Sequence, residues 1–595
     1  MLDTTLKTRF VPGTHLKGYV SGGNWVFLLP SLELEQIVCI GVLSFASIDM
    51  LSRTGRCVWI VSSNTNQLNR AVATWKHITP KNVNFFVSED GISLPFPSQT
   101  SDLVVIAGRK GLSQFQRNPR LLWEVRRVLK SNGLLYLEVG GVIGDRFDKK
   151  SSEHIIDYFG GGQLFWLTPS NGEMQTAVPL SDCETINYFL NHSLYSPSIK
   201  WRYLGPIEHL WNKNPVLARL TRRYGLLGGS GALNTIDQPP AYLQTIMREA
   251  GLKSDRYRWG LVARGNYNSR KVLFYLFDRA TGSPEYIVKM TRDPLLNFRL
   301  ENEYRSLTRM KEKGIGDQEN LPQLVFQGHH AGLAIIGETL INGVAFRTRT
   351  QATADCPYAS AAIHWLTRLG RETADHSTAT SDQVTRHLRT LFERFRELYS
   401  LAPDEQEFMA EQIAEISNNV QSFPLVFQHG NPGIWNVLVT PHGGIVFIDW
   451  EAAETQGMPL WDLLYFLRSY SVWVARSRGT RNPLKGFERQ FLLESPLSRT
   501  VVESVERYCH QIDLPGSLVQ PLFYTCWMHQ ALTEATRLPP DGLEKGGSIK
   551  LLRLCIAKRD APTLRNLFSL NSTNNRPVEH AQGAYALLTE TRDGE

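Results

Sequence analysis

The chain has 595 residues, too many for one hydrophobic core, and a prior of about 150 residues per domain gives three or four compact units. Hydrophobic residues make up 42% and charged residues 20%, which excludes large-scale disorder. The net charge of +7 is mild over this length, and local basic clusters such as Arg219, Arg222 and Arg223 are too short to imply a nucleic-acid partner.

Met1 to Gly18 has no apolar run of the signal-peptide kind, so no leader is expected. No stretch of about 18 apolar residues exists, and Trp25–Leu29 is far too short to span a membrane. The seven cysteines are scattered and never form a C-x-x-C pair, which excludes a zinc ribbon and a disulfide framework and points to a cytoplasmic setting. Strands are predicted at Gln36–Ile40, Cys57–Val61, Val83–Val87, Asp102–Ile106 and Leu134–Val139. Helices are predicted near Ser44–Ser52, Asn66–His77 and Pro119–Lys130. The last carries an apolar stripe of Leu121, Leu122, Val125, Val128 and Leu129. Strands alternating with helices imply a Rossmann-like, doubly wound parallel sheet. Gly225–Pro240 is rich in Gly, Ser, Asn and Pro and reads as the main linker. Beyond it, Lys271–Phe277 and Tyr286–Met290 read as an antiparallel pair joined by a turn. A long helical region follows from about Cys356 to Asn419.

The segment His429-Gly430-Asn431-Pro432-Gly433-Ile434-Trp435-Asn436 precedes Val437–Val439. The turn Pro441–Gly444 then leads into Ile445–Ile448 and Asp449-Trp450-Glu451. Paired as a hairpin, these strands bring Asn436 close to Asp449. An amide oxygen and a carboxylate there suit Mg²⁺, which takes hard oxygen ligands together with substrate phosphates. In the helix after Tyr286–Met290, Glu303 falls inside the stripe of Leu300, Leu307 and Met310, while Glu301 points away. A carboxylate on an apolar face needs a partner, and Lys289 is the natural one.

These segments, with Gly457–Leu463, resemble the H-G-D-x-x-x-x-N, I-D-W-E and G-x-P-x-W-D-L motifs of aminoglycoside phosphotransferases and choline kinases, over roughly Trp259 to Phe568. The resemblance implies a bilobal protein-kinase-like fold. It also implies that Asn436 and Asp449 hold Mg²⁺, that Lys289 grips ATP phosphates while Glu303 holds that lysine, and that His429 and Asp462 brace the catalytic loop. Gly265 sits where a phosphate-facing turn belongs, and Ile335–Glu338 resembles the hinge that meets adenine. Asn431 stands where the family has its Asp base, and an amide is not a useful base at neutral pH.

The N-terminal strands and helices, with Leu94-Pro95-Phe96-Pro97 before Asp102–Val105 and Leu122–Leu135, resemble a class I S-adenosylmethionine-dependent methyltransferase over about residues 30 to 150. Only Gly41 survives of that family's glycine loop. No acid stands near Ser62–Asn64 to take ribose hydroxyls, so S-adenosylmethionine is not expected as a ligand. The expected organisation is a degenerate methyltransferase-like domain at 1–165, then a connecting subdomain and linker at 166–240. A kinase-like N-lobe at 241–345, a C-lobe at 346–570 and a mobile tail at 571–595 complete it. Three functions remain open: ATP/Mg-dependent phosphorylation of a hydroxyl on a small molecule such as a sugar or amino sugar, an ATP-binding pseudokinase with a regulatory or scaffolding role, and a methyltransferase fused to a kinase-like domain. The expected partners are a small-molecule acceptor and a protein docked through the N-terminal domain.

Overall fold

The computed structural model describes residues 23–75, 79–140, 148–170, 173–191, 223–229, 237–263, 271–316, 321–376, 381–536, 538 and 540–570. The tail 571–595, residues 230–236 of the expected linker and Gly265 lie outside the described residues.

The five expected N-terminal strands are present as β1 (Leu34–Ile40), β2 (Gly55–Ser62), β3 (Val83–Val87), β4 (Ser101–Ile106) and β5 (Leu129–Gly140). They pair in parallel in the order β3-β2-β1-β4-β5. Both faces are buried, so successive residues feed different cores: Ile37 and Cys39 join one apolar cluster and Val38 another. Helices Phe45–Thr54, Thr65–Trp75 and Pro119–Val128 follow the predicted segments to within a few residues.

The sheet then continues into the second half of the chain. β8 (Arg223–Gly228) pairs antiparallel with β5, β6 (Gly162–Ser170) with β8, and β7 (Glu173–Pro179) with β6. β9 (Tyr257–Val262) joins β7 through Thr176↔Val262 and Ala177↔Leu261. β10 (Lys271–Asp278), β11 (Pro284–Thr291), β12 (Leu324–His330) and β13 (Leu333–Thr339) complete a 13-stranded sheet, ending in the order β9-β10-β11-β13-β12. The expected boundary at residue 165 therefore falls inside β6, and the expected connecting subdomain supplies strands. The glycine-rich start of the expected linker is strand β8 because Tyr224, Leu226 and Leu227 are buried, and burial outweighs local composition.

One face of β10 and β11 turns Val272, Phe274, Leu276, Val288 and Met290 into a core shared with Trp25, Phe27 and Leu167. Trp259 of β9 lies at the seam, its ring centroid 5.9 Å from Phe165 and 6.1 Å from Phe274. On the other face, Tyr188 and Phe189 of helix Cys183–Asn191 pack on Tyr275 and Phe277.

The remainder is mostly helical. The predicted region from Cys356 is three helices, Pro357–Thr373, Ser381–Leu398 and Pro403–Asn418. β14 (Val344–Ala345), β16 (Val437–Val439) and β17 (Ile445–Phe447) form a small sheet, and β15 (Val426–Gln428) pairs with β18 (Glu454–Gly457). Phe447, Trp450, Leu463 and Phe523 share one core there. Among the described residues no helix is long and apolar enough to cross a membrane.

Trp259 packs rings from both halves of the sheet, so Trp259→Ala should cost about 3–5 kcal/mol in urea unfolding. A loss under about 1 kcal/mol would mean that the seam contributes little.

Candidate functional site

The hairpin pairs Val437↔Phe447, Leu438↔Val446 and Val439↔Ile445, and the Ile448 N–H donates to the Asn436 carbonyl at 2.9 Å. Asn436 and Asp449 thus flank the open end of the hairpin. Asn436 Nδ2 donates to the Asn431 carbonyl at 3.0 Å, which commits its amide nitrogen and turns the choice of metal donor to its oxygen. Asp449 has φ 71°, in the left-handed region that few non-glycine residues adopt. Such backbone persists only where its surroundings over-determine it, and it clusters at functional sites.

Asp462 opens helix Trp461–Ser477 and accepts the His429 N–H at 2.5 Å and the Gly430 N–H at 3.0 Å. Burial pushes its carboxyl up to about 7, against the pull of those two N–H groups. Gly430 has φ 75°, and a Cβ there would stand 2.1 Å from the Ala452 carbonyl oxygen, so only glycine fits. His429 is fully buried, and burial lowers its pKa to about 4. Its partners fix the neutral tautomer: Nδ1 accepts the Asn431 N–H at 3.3 Å, so Nε2 carries the proton donated to the Ile448 carbonyl at 3.0 Å. Asn431 is therefore held by its backbone. Its side chain makes no hydrogen bond to the described residues.

Lys289 of β11 lies on the face opposite Val288 and Met290. Its Nζ is 2.7 Å from Glu303 Oε1 and 2.8 Å from Glu338 Oε2. The same Glu303 oxygen accepts the Trp450 N–H at 2.9 Å, tying helix Asn297–Glu312 to the loop after β17. Asn302 adds a second tie, Nδ2 donating to the Ala453 carbonyl at 2.9 Å. Burial pushes Glu303 up to about 7, although Lys289 and Lys271 pull the other way. Burial also works against the Lys289 ammonium, but Glu303 and Glu338 outweigh it and hold the group charged.

Two residues of the site escape motif reading. Lys271, the first residue of β10, places Nζ against Asp449 and 3.3 Å from Glu451 Oε2. Burial opposes its charge, but Asp449, Glu451 and Glu303 overcome that and raise its pKa well above the ordinary value. Arg299 covers the other Glu451 oxygen at 2.8 Å. The signal for Lys271 lies in strand parity: Leu273 pairs with Lys289, so Lys271, two residues away, shares the Lys289 face.

The expected hinge at Ile335–Glu338 is corrected. These residues lie inside β13, between β11 and β12, because the strand pairing continues past the apolar run to Thr339. The crossing to the helical lobe is Leu340–Gly343, and Leu340 packs beside Val262 and Ile287 in an apolar patch on the Lys289 face. The Glu338 side chain serves Lys289, as a buried ion-pair partner. Gly265 lies outside the described residues. Gly41 has φ 91° and a Cβ there would stand 2.9 Å from the Ala107 Cβ, so close packing accounts for this glycine without a ligand. After β2, Asn64 Oδ1 accepts the Gln67 N–H at 2.9 Å and caps the next helix.

The donor types fit a hydrated Mg²⁺: a carboxylate on Asp449 and an amide oxygen on Asn436, carried by backbone that the hairpin brings together. Among the described residues no cluster of three or more His, Cys, Asp or Glu could hold a metal unaided, so substrate phosphates would complete the shell. Glu303 Oε2 and Glu338 Oε1 are buried acceptors without a hydrogen bond among the described residues.

Fold and site together define a methyltransferase-like domain joined to a kinase-like phosphotransferase module. Residues 267–499 match the model of the phosphotransferase enzyme family, and residues 38–137 match that of the methyltransferase domain. No curated protein matches the chain. The chain is similar to the bifunctional kinase-methyltransferase WbdD at 11% identity, covering 88% of each chain with a TM-score of 0.25. It is similar to an aminoglycoside phosphotransferase from Alicyclobacillus acidocaldarius at 13% identity, covering 51% of this chain and 89% of that one with a TM-score of 0.30. A SAM-dependent methyltransferase from Aquifex aeolicus is 16% identical, covering 28% of this chain and 95% of its own with a TM-score of 0.21.

Glu303 and Asp462 both titrate near 7 in the fold, above the ~4 of an unfolded carboxylate. Folding then favours their protonated forms, so their contribution is full below about pH 4 and is lost as pH rises through about 7. The thermal midpoint of the ligand-free chain should fall as pH rises from about 4 to about 7 and level off above that, and Glu303→Gln should flatten that fall. An unchanged slope in the variant would remove Glu303 as its source.

Proposed function

We propose that the C-terminal half is an ATP- and Mg²⁺-dependent phosphotransferase acting on a hydroxyl of a small molecule, with sugars and amino sugars as the first class to try. The observation that carries this reading is the Glu303 carboxylate, bonded at once to Lys289 Nζ and to the N–H that follows Asp449. In this reading Lys289 grips the nucleotide phosphates, and Glu303 fixes both the lysine and the Asp449 loop. Val262, Ile287 and Leu340 offer an apolar surface for a base. Mg²⁺ on Asp449 and Asn436 would supply charge neutralisation for the transferring group.

The acceptor hydroxyl would lie beside Asn431, whose amide can orient it but takes up no proton. The acceptor oxygen bonds to the γ-phosphorus, the bond from that phosphorus to the β,γ-bridging oxygen breaks, and the hydroxyl proton leaves to solvent. Phosphoryl transfer depends mostly on positioning and electrostatics, so the missing base slows the step without removing it. The N-terminal half is assigned a docking or scaffolding role, since Asn64 serves as a helix cap where a ribose-binding acid would stand. A second reading, a nucleotide-binding pseudoenzyme, draws on Asn431 together with the ion pair between Lys271 and Asp449.

The test is ATP consumption with Mg²⁺ against a panel of free sugars and amino sugars. Acceptor-dependent turnover should disappear in Asp449→Ala and rise by about 10²-fold or more in Asn431→Asp. No acceptor-dependent turnover in either wild type or Asn431→Asp, with nucleotide binding intact, would favour the pseudoenzyme.

A further inference from the structure

Lys271 is a charged group beside Asp449 that none of the motifs uses. It stands at the start of β10, with its side chain 16% exposed, and faces three carboxylates: Asp449 in contact, Glu451 Oε2 at 3.3 Å and Glu303 Oε2 at 3.9 Å. Among the described residues Lys289 and Arg299 are the other cations there, and each is engaged by its own partners, Glu303 and Glu338 for one and Glu451 for the other. The ammonium of Lys271 therefore compensates Asp449, the carboxylate best placed for a metal. A divalent cation on the same oxygens would meet that ammonium at repulsive range. Metal and ammonium are alternative partners of Asp449.

Nucleotide changes the balance. Its phosphates bring negative charge to the face that Lys271 shares with Lys289, and an ammonium released from Asp449 would find an acceptor there. Without nucleotide, the displaced ammonium would be left buried without a counter-charge, which is expensive.

We propose that Lys271 is an internal counter-cation that occupies Asp449 until Mg²⁺ and nucleotide arrive together, then exchanges the carboxylate for a phosphate. The proposal rests on the nucleotide-site reading above. It makes metal and nucleotide binding strongly coupled, with Lys271 as the coupling element.

The test follows thermal midpoints of the full chain with MnCl₂ alone, MgCl₂ alone, ATP with EDTA, and ATP with MgCl₂. It compares wild type with Lys271→Met and Lys271→Arg. Wild type should shift with ATP and MgCl₂ but not with either metal alone. Lys271→Met should shift with MnCl₂ alone and bind ATP with MgCl₂ about 10-fold or more weakly. Lys271→Arg keeps the charge and should stay silent toward metal alone. A Lys271→Met chain that behaves as wild type in every condition overturns the proposal while leaving the nucleotide site standing. A wild type that fails to shift with ATP and MgCl₂ overturns the nucleotide site, and this proposal with it. If Lys271→Met does not fold, wild type alone still decides: saturable MnCl₂ binding without nucleotide, seen by calorimetry, overturns the proposal, and its absence beside a clear response to ATP with MgCl₂ upholds it.

Discussion

The carboxylate of Glu303 joins three parts of the chain that are far apart in sequence. It comes from a helix, receives the ammonium of a strand lysine, and accepts the backbone N–H of Trp450 from the helical lobe. It is fully buried, so these bonds form where water cannot replace them. Removing one partner of a buried pair costs far more than the pair itself contributes, which makes the arrangement all-or-none. The position of Asp449 depends on it, because Trp450 is the next residue. A second carboxylate, the partly buried Asp462, does the same for the loop carrying His429 and Gly430. The site is therefore assembled by two acids, each fixing backbone on which a polar side chain is presented.

Much of this was legible in the amino-acid order, for identifiable reasons. Helical phase separated Glu303 from Glu301, and the turn chemistry of Pro441–Gly444 forced the hairpin that brings Asn436 to Asp449. The five parallel strands were legible because buried strands read as short apolar runs between turn signals. Lys271 was harder to see, since a lysine at a strand end is ordinarily solvated and its role depends on register with β11. The hinge was placed a few residues early because strand β13 outlasts its most apolar stretch. The union of the two halves in one sheet rests on β7 meeting β9, a pairing between segments some 80 residues apart that no local pattern encodes. Glycine-rich β8 looked like a linker because composition speaks for the unfolded chain and burial for the folded one.

A continuous sheet has a functional consequence. The phosphotransferase-like N-lobe is joined to β7 through Leu261 and Val262 of β9, and Tyr188 and Phe189 from the methyltransferase-like half rest on the same sheet face as Lys289. The two halves are thus packed as one structure. At Asn431 and at the Asn64 cap the two halves depart from the motifs they resemble.

The central claim is a Mg²⁺–nucleotide site organised by Glu303 and Lys289. Its most direct test is calorimetric titration of ATP into the full chain, with Mg²⁺ and with EDTA, for wild type and Lys289→Ala. Saturable heat corresponding to a single ATP per chain, dependent on Mg²⁺ and lost in Lys289→Ala, is the expected result. Absence of heat in wild type, or heat unchanged by Lys289→Ala, would contradict the claim.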